Sequence, residues 1–278
     1  MASGAAARRG HPGTLGGGMS GGASPVWDPQ QYNRFAEERE RPFWDLRALL
    51  EPVASPRVVD LGCGDGRLTA ALHRDLGAAS TVGVDLSEAM LAATAAHAGP
   101  GIGFVAADIA AWSGPAVDVV FSNAALQWVP DHPAVLARWR AALAAGGQLA
   151  VQVPANADHP SHAVLRELAA ERLGASAPPD PVAANVLRPE DYAVLLDRLG
   201  FARQHVRLQV YAHRLGSTGD VVEWLRGTSL NRFKPVLDPE AYAELVDEYR
   251  RRLLTALGES RPYLYPFKRI LLWGRLPG

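Results

Sequence analysis

Val58-Val59-Asp60-Leu61-Gly62-Cys63-Gly64-Asp65-Gly66-Arg67-Leu68 decides how this chain folds. A short apolar run ends in three alternating glycines, after which the pattern becomes helical. This describes a buried strand turning into a helix, with a loop whose backbone can approach a ligand at the carboxyl edge of a sheet. A dinucleotide loop of the form G-x-G-x-x-G needs its third glycine at position 67, which is arginine. A diphosphate favours a glycine-rich helix N-terminus, whereas Asp60 and Asp65 suit a cationic ligand better. A tight turn that binds nothing also favours glycine, so this loop has to be read with its surroundings.

Working outward, apolar runs rich in valine recur at Arg57–Leu61, Thr81–Asp85, Gly103–Ala107, Val117–Ser122 and Gln148–Val153. Each is too short for a helix and fits a strand. Helical patterns separate most of them. Ser87 is placed to cap a helix over Glu88–His97, and Pro133 to open one that runs to Leu143 and stops at Gly146 and Gly147. Upstream, residues 28–50 predict a short helix to about Arg41 and a second after Pro42. Downstream come helical segments at about 161–173 and 189–199, a strand over His205–Arg214, a mostly helical insertion at about 218–257 and a last strand, Lys268–Arg275. Alternation of this kind predicts one α/β domain over about 25–278, a parallel sheet with helices on both faces and a helical cover.

Composition bounds the function. The 278 residues are 48% hydrophobic and 21% charged, as in a folded soluble chain. With 28 basic residues against 29 acidic ones the net charge is -1, which argues against a nucleic-acid binder that depends on a basic surface. No run approaches the ~20 apolar residues of a membrane helix. Cys63 is the only cysteine, so neither an internal disulfide nor a cysteine-built zinc site is expected, and a cytoplasmic setting is. Residues 1–24, rich in glycine and alanine, have little to bury and read as a disordered leader, with Met19 as an alternative start.

Two acids follow the glycine loop in order. Asp85 ends the second strand, where a carboxylate can accept both hydroxyls of a ribose, although it also suits the approach to the helix at Ser87. Asp108 closes the third strand and can accept from an adenine amino group, with Ile109 packing nearby.

The ordered segments VVDLGCGDG, VGVDLSEAM, FVAADIAAW, VDVVFSNAALQWVPDH and GGQLAVQVP resemble the class I S-adenosylmethionine-dependent methyltransferases. The flanking WDPQQYNRFAEERERPF, NAALQWVPDH, VQVPANADHPSHAVLREL and YPFKRILLW resemble the trans-aconitate 2-methyltransferase family, from about Trp27 to Trp273. The resemblance implies a Rossmann-like doubly wound sheet, mostly parallel, with an antiparallel C-terminal strand. It places Asp60, Gly62, Gly64 and Gly66 at the amino-acid and sugar portions of S-adenosylmethionine, Asp85 on the ribose, and Asp108 with Ile109 at the adenine. Asn123 and Gln127 are expected beside the cofactor, Asn123 near the sulfonium. Trp128 is expected either as a substrate wall or as an aromatic packed under its loop.

Cations near the two ends of the family segment, Arg39 and Arg41 on one side and Lys268 and Arg269 on the other, are either solvated surface charge or carboxylate grips. The implied reaction moves the activated methyl group onto a carboxylate of trans-aconitate or a close polycarboxylate. The products are the monomethyl ester and S-adenosylhomocysteine. A carboxylate is anionic at neutral pH, so the reaction needs no side-chain base and no metal. Two alternatives remain open at this point. One is a methyltransferase for a phenol, amine or enol, which could use His132 or His162 as a base, and the other is a cofactor-binding protein without chemistry.

Overall fold

Strand β1 (Arg57–Leu61) lies inside the sheet, and Val58, Val59, Asp60 and Leu61 are all at most 3% exposed. The computed structural model describes residues 36–278, so the expected leader at 1–24 lies outside the described residues. Outward from β1 run β2 (Ser80–Asp85) and then β3 (Ile102–Ala106). On its other side lie β4 (Val117–Asn123) and β5 (Leu143–Pro154). Two long strands, β6 (Arg203–Leu215) and β7 (Tyr263–Arg275), complete the seven-stranded order β3-β2-β1-β4-β5-β7-β6. The first five strands are parallel, and β7 is antiparallel to both of its neighbours. The chain moves outward from β1 and then returns to β4 beside it. That reversal opens a crevice at the carboxyl ends of β1 and β4, where ligands bind in sheets of this kind.

Helices α1 (Ala36–Arg47), α2 (Arg67–Leu76), α3 (Glu88–Leu91) and α4 (His132–Ala141) accompany the parallel strands. The later segment contributes α5 (Pro160–Leu173), α6 (Pro181–Asn185), α7 (Pro189–Arg198), α8 (Asp220–Arg226) and α9 (Pro239–Leu257). Alternation along β1 separates two cores. Val59 and Leu61 pack with Leu136, Trp139 and Tyr192, while Val58 packs with Phe43, Leu46 and Phe121. The helical cover has its own apolar cluster, in which Leu168, Trp224, Phe233 and Tyr249 surround Tyr265 of β7.

Beyond shifts of one or two residues at strand ends, four features differ from the sequence expectation. The break at Pro42 is absent: α1 runs through it, because burial of Phe43 and Leu46, 1% and 0% exposed, offsets the hydrogen bond that proline cannot make. Ser87 does cap α3, its hydroxyl accepting from the nitrogen of Met90, but the α-helix ends at Leu91 instead of reaching His97. Thr94 donates its hydroxyl to the carbonyl of Leu91 at 2.7 Å, and the chain tightens into a 3-10 turn over Thr94–Ala96. Helix α4 stops at Ala141, since Leu143 already pairs with Val117 and the strand continues through Gly146 and Gly147.

The last strand starts at Tyr263, ahead of the expected Lys268, and contains Pro266. The backbone nitrogen and carbonyl of Lys268 both face the β5 side, toward Asn156 and Ala155. Two residues earlier the same side faces outward again, and β5 pairs only as far as Arg269, so the missing N–H of Pro266 costs no ladder bond.

Candidate functional site

The loop after β1 is held by the backbone of β2. The nitrogens of Gly62 and Cys63 both donate to the carbonyl of Val84, at 2.7 and 3.0 Å. Gly62, Gly64 and Gly66 all have positive φ, at 86°, 56° and 79°, a region that glycine reaches without strain. Their surroundings differ. A Cβ on Gly62 would lie 2.1 Å from that of Ala125 and one on Gly66 would meet the ring of Phe104 at 2.7 Å, whereas one on Gly64 meets nothing within 4 Å. Gly62 and Gly66 are therefore required by packing, and Gly64 presents its backbone to open space.

That space is a cavity of about 880 Å³ over the carboxyl ends of β1, β2 and β4. Asp60, Gly62, Gly64, Asp85, Asp108, Ile109, Asn123 and Trp128, expected at the site from sequence, all reach its wall. Gly66 does not, since it opens α2 behind the loop. Asp85 accepts from the nitrogen of Gly64 and from that of Ser87, each at 2.9 Å. Asp108 accepts from the nitrogen of Ala110 at 2.8 Å. Both carboxylates are thus oriented by backbone and keep lone pairs for a ligand.

Asp60 is the buried acid of the set. The hydroxyl of Thr69 donates to it at 2.6 Å, yet burial, with a smaller contribution from the charge of Asp85, pushes its carboxyl up to about 7. Burial first, and then the neighbouring Asp60 and Asp85, push the Cys63 thiol up as well, so it stays protonated and is no nucleophile.

The loop after β4 separates this cavity from a smaller chamber of about 60 Å³. Asn123, Ala124 and Trp128 line both spaces, which puts Trp128 at the boundary between them. The side-chain oxygen of Asn123 is buried without a hydrogen-bond partner. Gln127 faces only the smaller chamber, where its amide donates to the carbonyl of Ala124 at 2.7 Å while its oxygen has no partner. His132 braces this loop from α4. One ring nitrogen meets the hydroxyl of Tyr192 at 2.5 Å and the other the carbonyl of Leu126 at 2.9 Å. Burial lowers its pKa and keeps it neutral. Both nitrogens are engaged, and His132 is absent from both walls, so it is a brace and not a base.

The candidate cations separate sharply. Arg269 is 5% exposed, lines the smaller chamber, donates to the amide oxygen of Gln152 at 3.2 Å and lies over the ring of Phe267. Lys268, its neighbour, instead pairs with Asp158 and lines neither space. Exposed Arg41 stacks over the ring of Tyr211 at 5.9 Å, also away from both. Lys268 and Arg41 are thus not cavity cations, because a carboxylate and an aromatic face outside the site hold them. Arg39 belongs to α1, but its side chain lies outside the described residues.

Sequence reasoning missed Arg232. It comes from a 3-10 turn, Ser229–Phe233, which the helical cover lays against the large cavity. All of the 28 basic residues except Lys234 and Lys268 are arginine, so residue type gave Arg232 no distinction. His162 lines the smaller chamber with a ring nitrogen 3.7 Å from Asp180.

Residues 58–147 match the model of a methyltransferase domain family. The chain is 40% identical to a trans-aconitate 2-methyltransferase of Deinococcus radiodurans, with 91% of this chain and 99% of that one covered. It is also 40% identical to the corresponding protein of Streptomyces coelicolor, over 91% of this chain and 88% of the relative. Among solved structures, the YcgJ protein of Bacillus subtilis covers 86% of this chain at 13% identity, with a TM-score of 0.58. Phosphoethanolamine N-methyltransferase 2 of Haemonchus contortus, in complex with S-adenosyl-L-methionine, covers 86% at 17% identity, with a TM-score of 0.55. These two establish the shared fold.

Proposed function

The chain belongs to the trans-aconitate 2-methyltransferase family, and from that premise we propose how its cavity performs the reaction. The enzyme transfers the methyl group of S-adenosylmethionine to a carboxylate of trans-aconitate, giving the monomethyl ester and S-adenosylhomocysteine. The observation that carries this function is the 40% identity to a relative of that name over 99% of the relative's length.

The cavity fits the donor. Its wall holds Asp60, Asp65, Asp85, Glu88 and Asp108, an acidic lining suited to a molecule with a sulfonium and an α-amino cation. Gly64 leaves open space where any other residue would project a side chain. We assign Asp85 to the ribose hydroxyls, Asp108 and Ile109 to the adenine, and Asp60, Gly62 and Gly64 to the methionine portion. Asn123 stands at the junction with the smaller chamber. The donor, when bound, supplies an electrophilic methyl group.

The protein's part is to place an anion in line with that methyl group and to exclude water. A carboxylate is already the nucleophile, so no proton has to be removed. This agrees with a site in which His132, neutral and fully engaged, stands behind the loop and on neither wall. Arg269 is assigned to a carboxylate that does not react, with Trp128 as a wall of the passage. Near-neutral net charge supports a small-molecule acceptor over nucleic acid, and among the described residues no helix is long and apolar enough to cross a membrane; we place the enzyme in the cytoplasm.

The test uses labelled S-adenosylmethionine with a panel of polycarboxylic acids, phenols and amines. The expected product is a base-labile methyl ester of trans-aconitate. Transfer to a phenol or amine alone, or to no acceptor, overturns the reading.

A further inference from the structure

Arg232 has a guanidinium group that the fold buries and leaves facing the site. It is 7% exposed and lies over the ring of Phe233 at 4.8 Å, and its Nε and Nη1 are buried without a hydrogen-bond partner. Burial lowers its pKa to about 10, so it stays charged at neutral pH. Asp180 supplies a favourable field, but its oxygens are otherwise engaged. One accepts from Arg166 at 3.2 Å and the other from the nitrogen of Val182 at 3.1 Å. A charged donor buried at a cavity wall with two nitrogens unsatisfied is costly unless an anion completes it.

The surrounding turn points to which anion. Ser229 lines the smaller chamber with Arg269, and three residues on Arg232 lines the large cavity. The two arginines therefore face the spaces on either side of the wall formed by Asn123 and Trp128. A carboxylate paired with arginine is a weaker nucleophile, so the arginines suit those groups of the acceptor that do not react. The remaining carboxylate stays unpaired toward the methyl group.

Resting on the polycarboxylate reading above, we propose that Arg232 binds a non-reacting carboxylate of the acceptor and, together with Arg269, selects tricarboxylates over dicarboxylates. Arg232→Gln and Arg232→Lys are compared with the wild type on trans-aconitate and on the dicarboxylates that each lack one of its arms. Binding of S-adenosylhomocysteine, measured by calorimetry, reports the integrity of the donor site. In Arg232→Gln, kcat/KM for trans-aconitate falls on the order of tenfold or more, mainly through KM, while donor affinity holds. The loss shrinks for the dicarboxylate that lacks the partnered arm, as in a mutant cycle between enzyme and substrate. Arg232→Lys, which keeps the charge, recovers part of the loss and serves if the glutamine variant does not fold. Three results overturn the proposal: an unchanged KM in both variants, an equal penalty on every acceptor, or a drop in donor affinity alone, which would give Arg232 to the donor's own carboxylate. If the wild type esterifies no polycarboxylate, the function falls and this proposal with it. Normal wild-type kinetics with an indifferent Arg232 overturns only the latter.

Discussion

The carboxylate of Asp85 accepts a hydrogen bond from the backbone nitrogen of Gly64 at 2.9 Å, tying the end of β2 to the glycine loop after β1. Its other oxygen accepts from the nitrogen of Ser87, also at 2.9 Å. A carboxylate has about four acceptor positions, so about half remain for the two hydroxyls of a ribose. One side chain thus shapes the loop and keeps acceptor positions turned to the cavity where we propose the ribose binds.

Asp85→Ala removes both roles. Hydrogen bonds to a charged group contribute ~1.5 to 3 kcal/mol each, so the dissociation constant for S-adenosylhomocysteine should rise at least about tenfold. Asp85→Asn, which keeps an acceptor, should recover part of that affinity. Calorimetry measures both, and an unchanged constant in the alanine variant would return Asp85 to a purely structural role.

The glycines separate folding from binding. In Gly62→Ala the new methyl meets Ala125 at 2.1 Å and φ is 86°, so clash and strain combine. A loss of about 3 kcal/mol in unfolding free energy is expected, from left-handed strain plus overpacking. Gly64→Ala has φ 56° but open space around the Cβ, and should lose only about 1 kcal/mol while its donor affinity drops more clearly. Urea denaturation and calorimetry on the pair decide this, and equal stability losses would contradict it.

Asp60 gives the stability a pH dependence of defined sign. Its carboxyl is raised from 3.8 to about 7, chiefly by burial. Across that window the folded protein keeps a proton that the unfolded chain releases. The contribution of Asp60 to stability is therefore greatest below the lower value, falls as pH rises through the window, and levels off above about 7. Asp60→Asn should flatten the slope and be the more stable protein at alkaline pH. A cationic donor favours the ionised form, so wild-type affinity for S-adenosylmethionine should also rise with pH, an effect the asparagine variant loses. Unfolding curves and binding measured across the pH range test both parts.

How much of this was legible in the chain depended on whether a feature was local. The strand from Arg57 to Leu61, the glycine loop and the acids ending β2 and following β3 sit within short stretches where alternation, left-handed backbone and charge are all written in neighbouring residues. Pro42 misled because proline's local preference was overruled by Phe43 and Leu46 packing into a distant core. Thr94 misled in the other direction, its hydroxyl taking a helix carbonyl that periodicity assigned to the backbone. The partners of cations were the least legible, since Arg232, Arg41 and Lys268 are told apart only by what the fold brings beside them. Tyr211 and Asp158 lie 170 and 110 positions from the cations they hold, and no short pattern records such pairings.

Lys268 and Arg269 turn that last point into an experiment, because neighbours on a strand face opposite sides. Lys268 is held by exposed Asp158, whose carboxyl it keeps below the usual range. Arg269 is buried at the smaller chamber, against Gln152 and Phe267. Lys268→Ala should therefore match the wild type in its Michaelis constants, since an exposed ion pair contributes little. Arg269→Ala should raise the constant for trans-aconitate on the order of tenfold and leave that for S-adenosylmethionine unchanged. The turnover number should fall as well, because in the proposed arrangement holding the non-reacting carboxylate also sets the aim of the reacting one. At saturating substrates the wild-type turnover should show no histidine-like loss between about pH 6 and 8, since the nucleophile carries no proton to remove. Steady-state kinetics on the two variants is the measurement. Equal effects of the two substitutions, or normal polycarboxylate kinetics in Arg269→Ala, would remove Arg269 from the acceptor site.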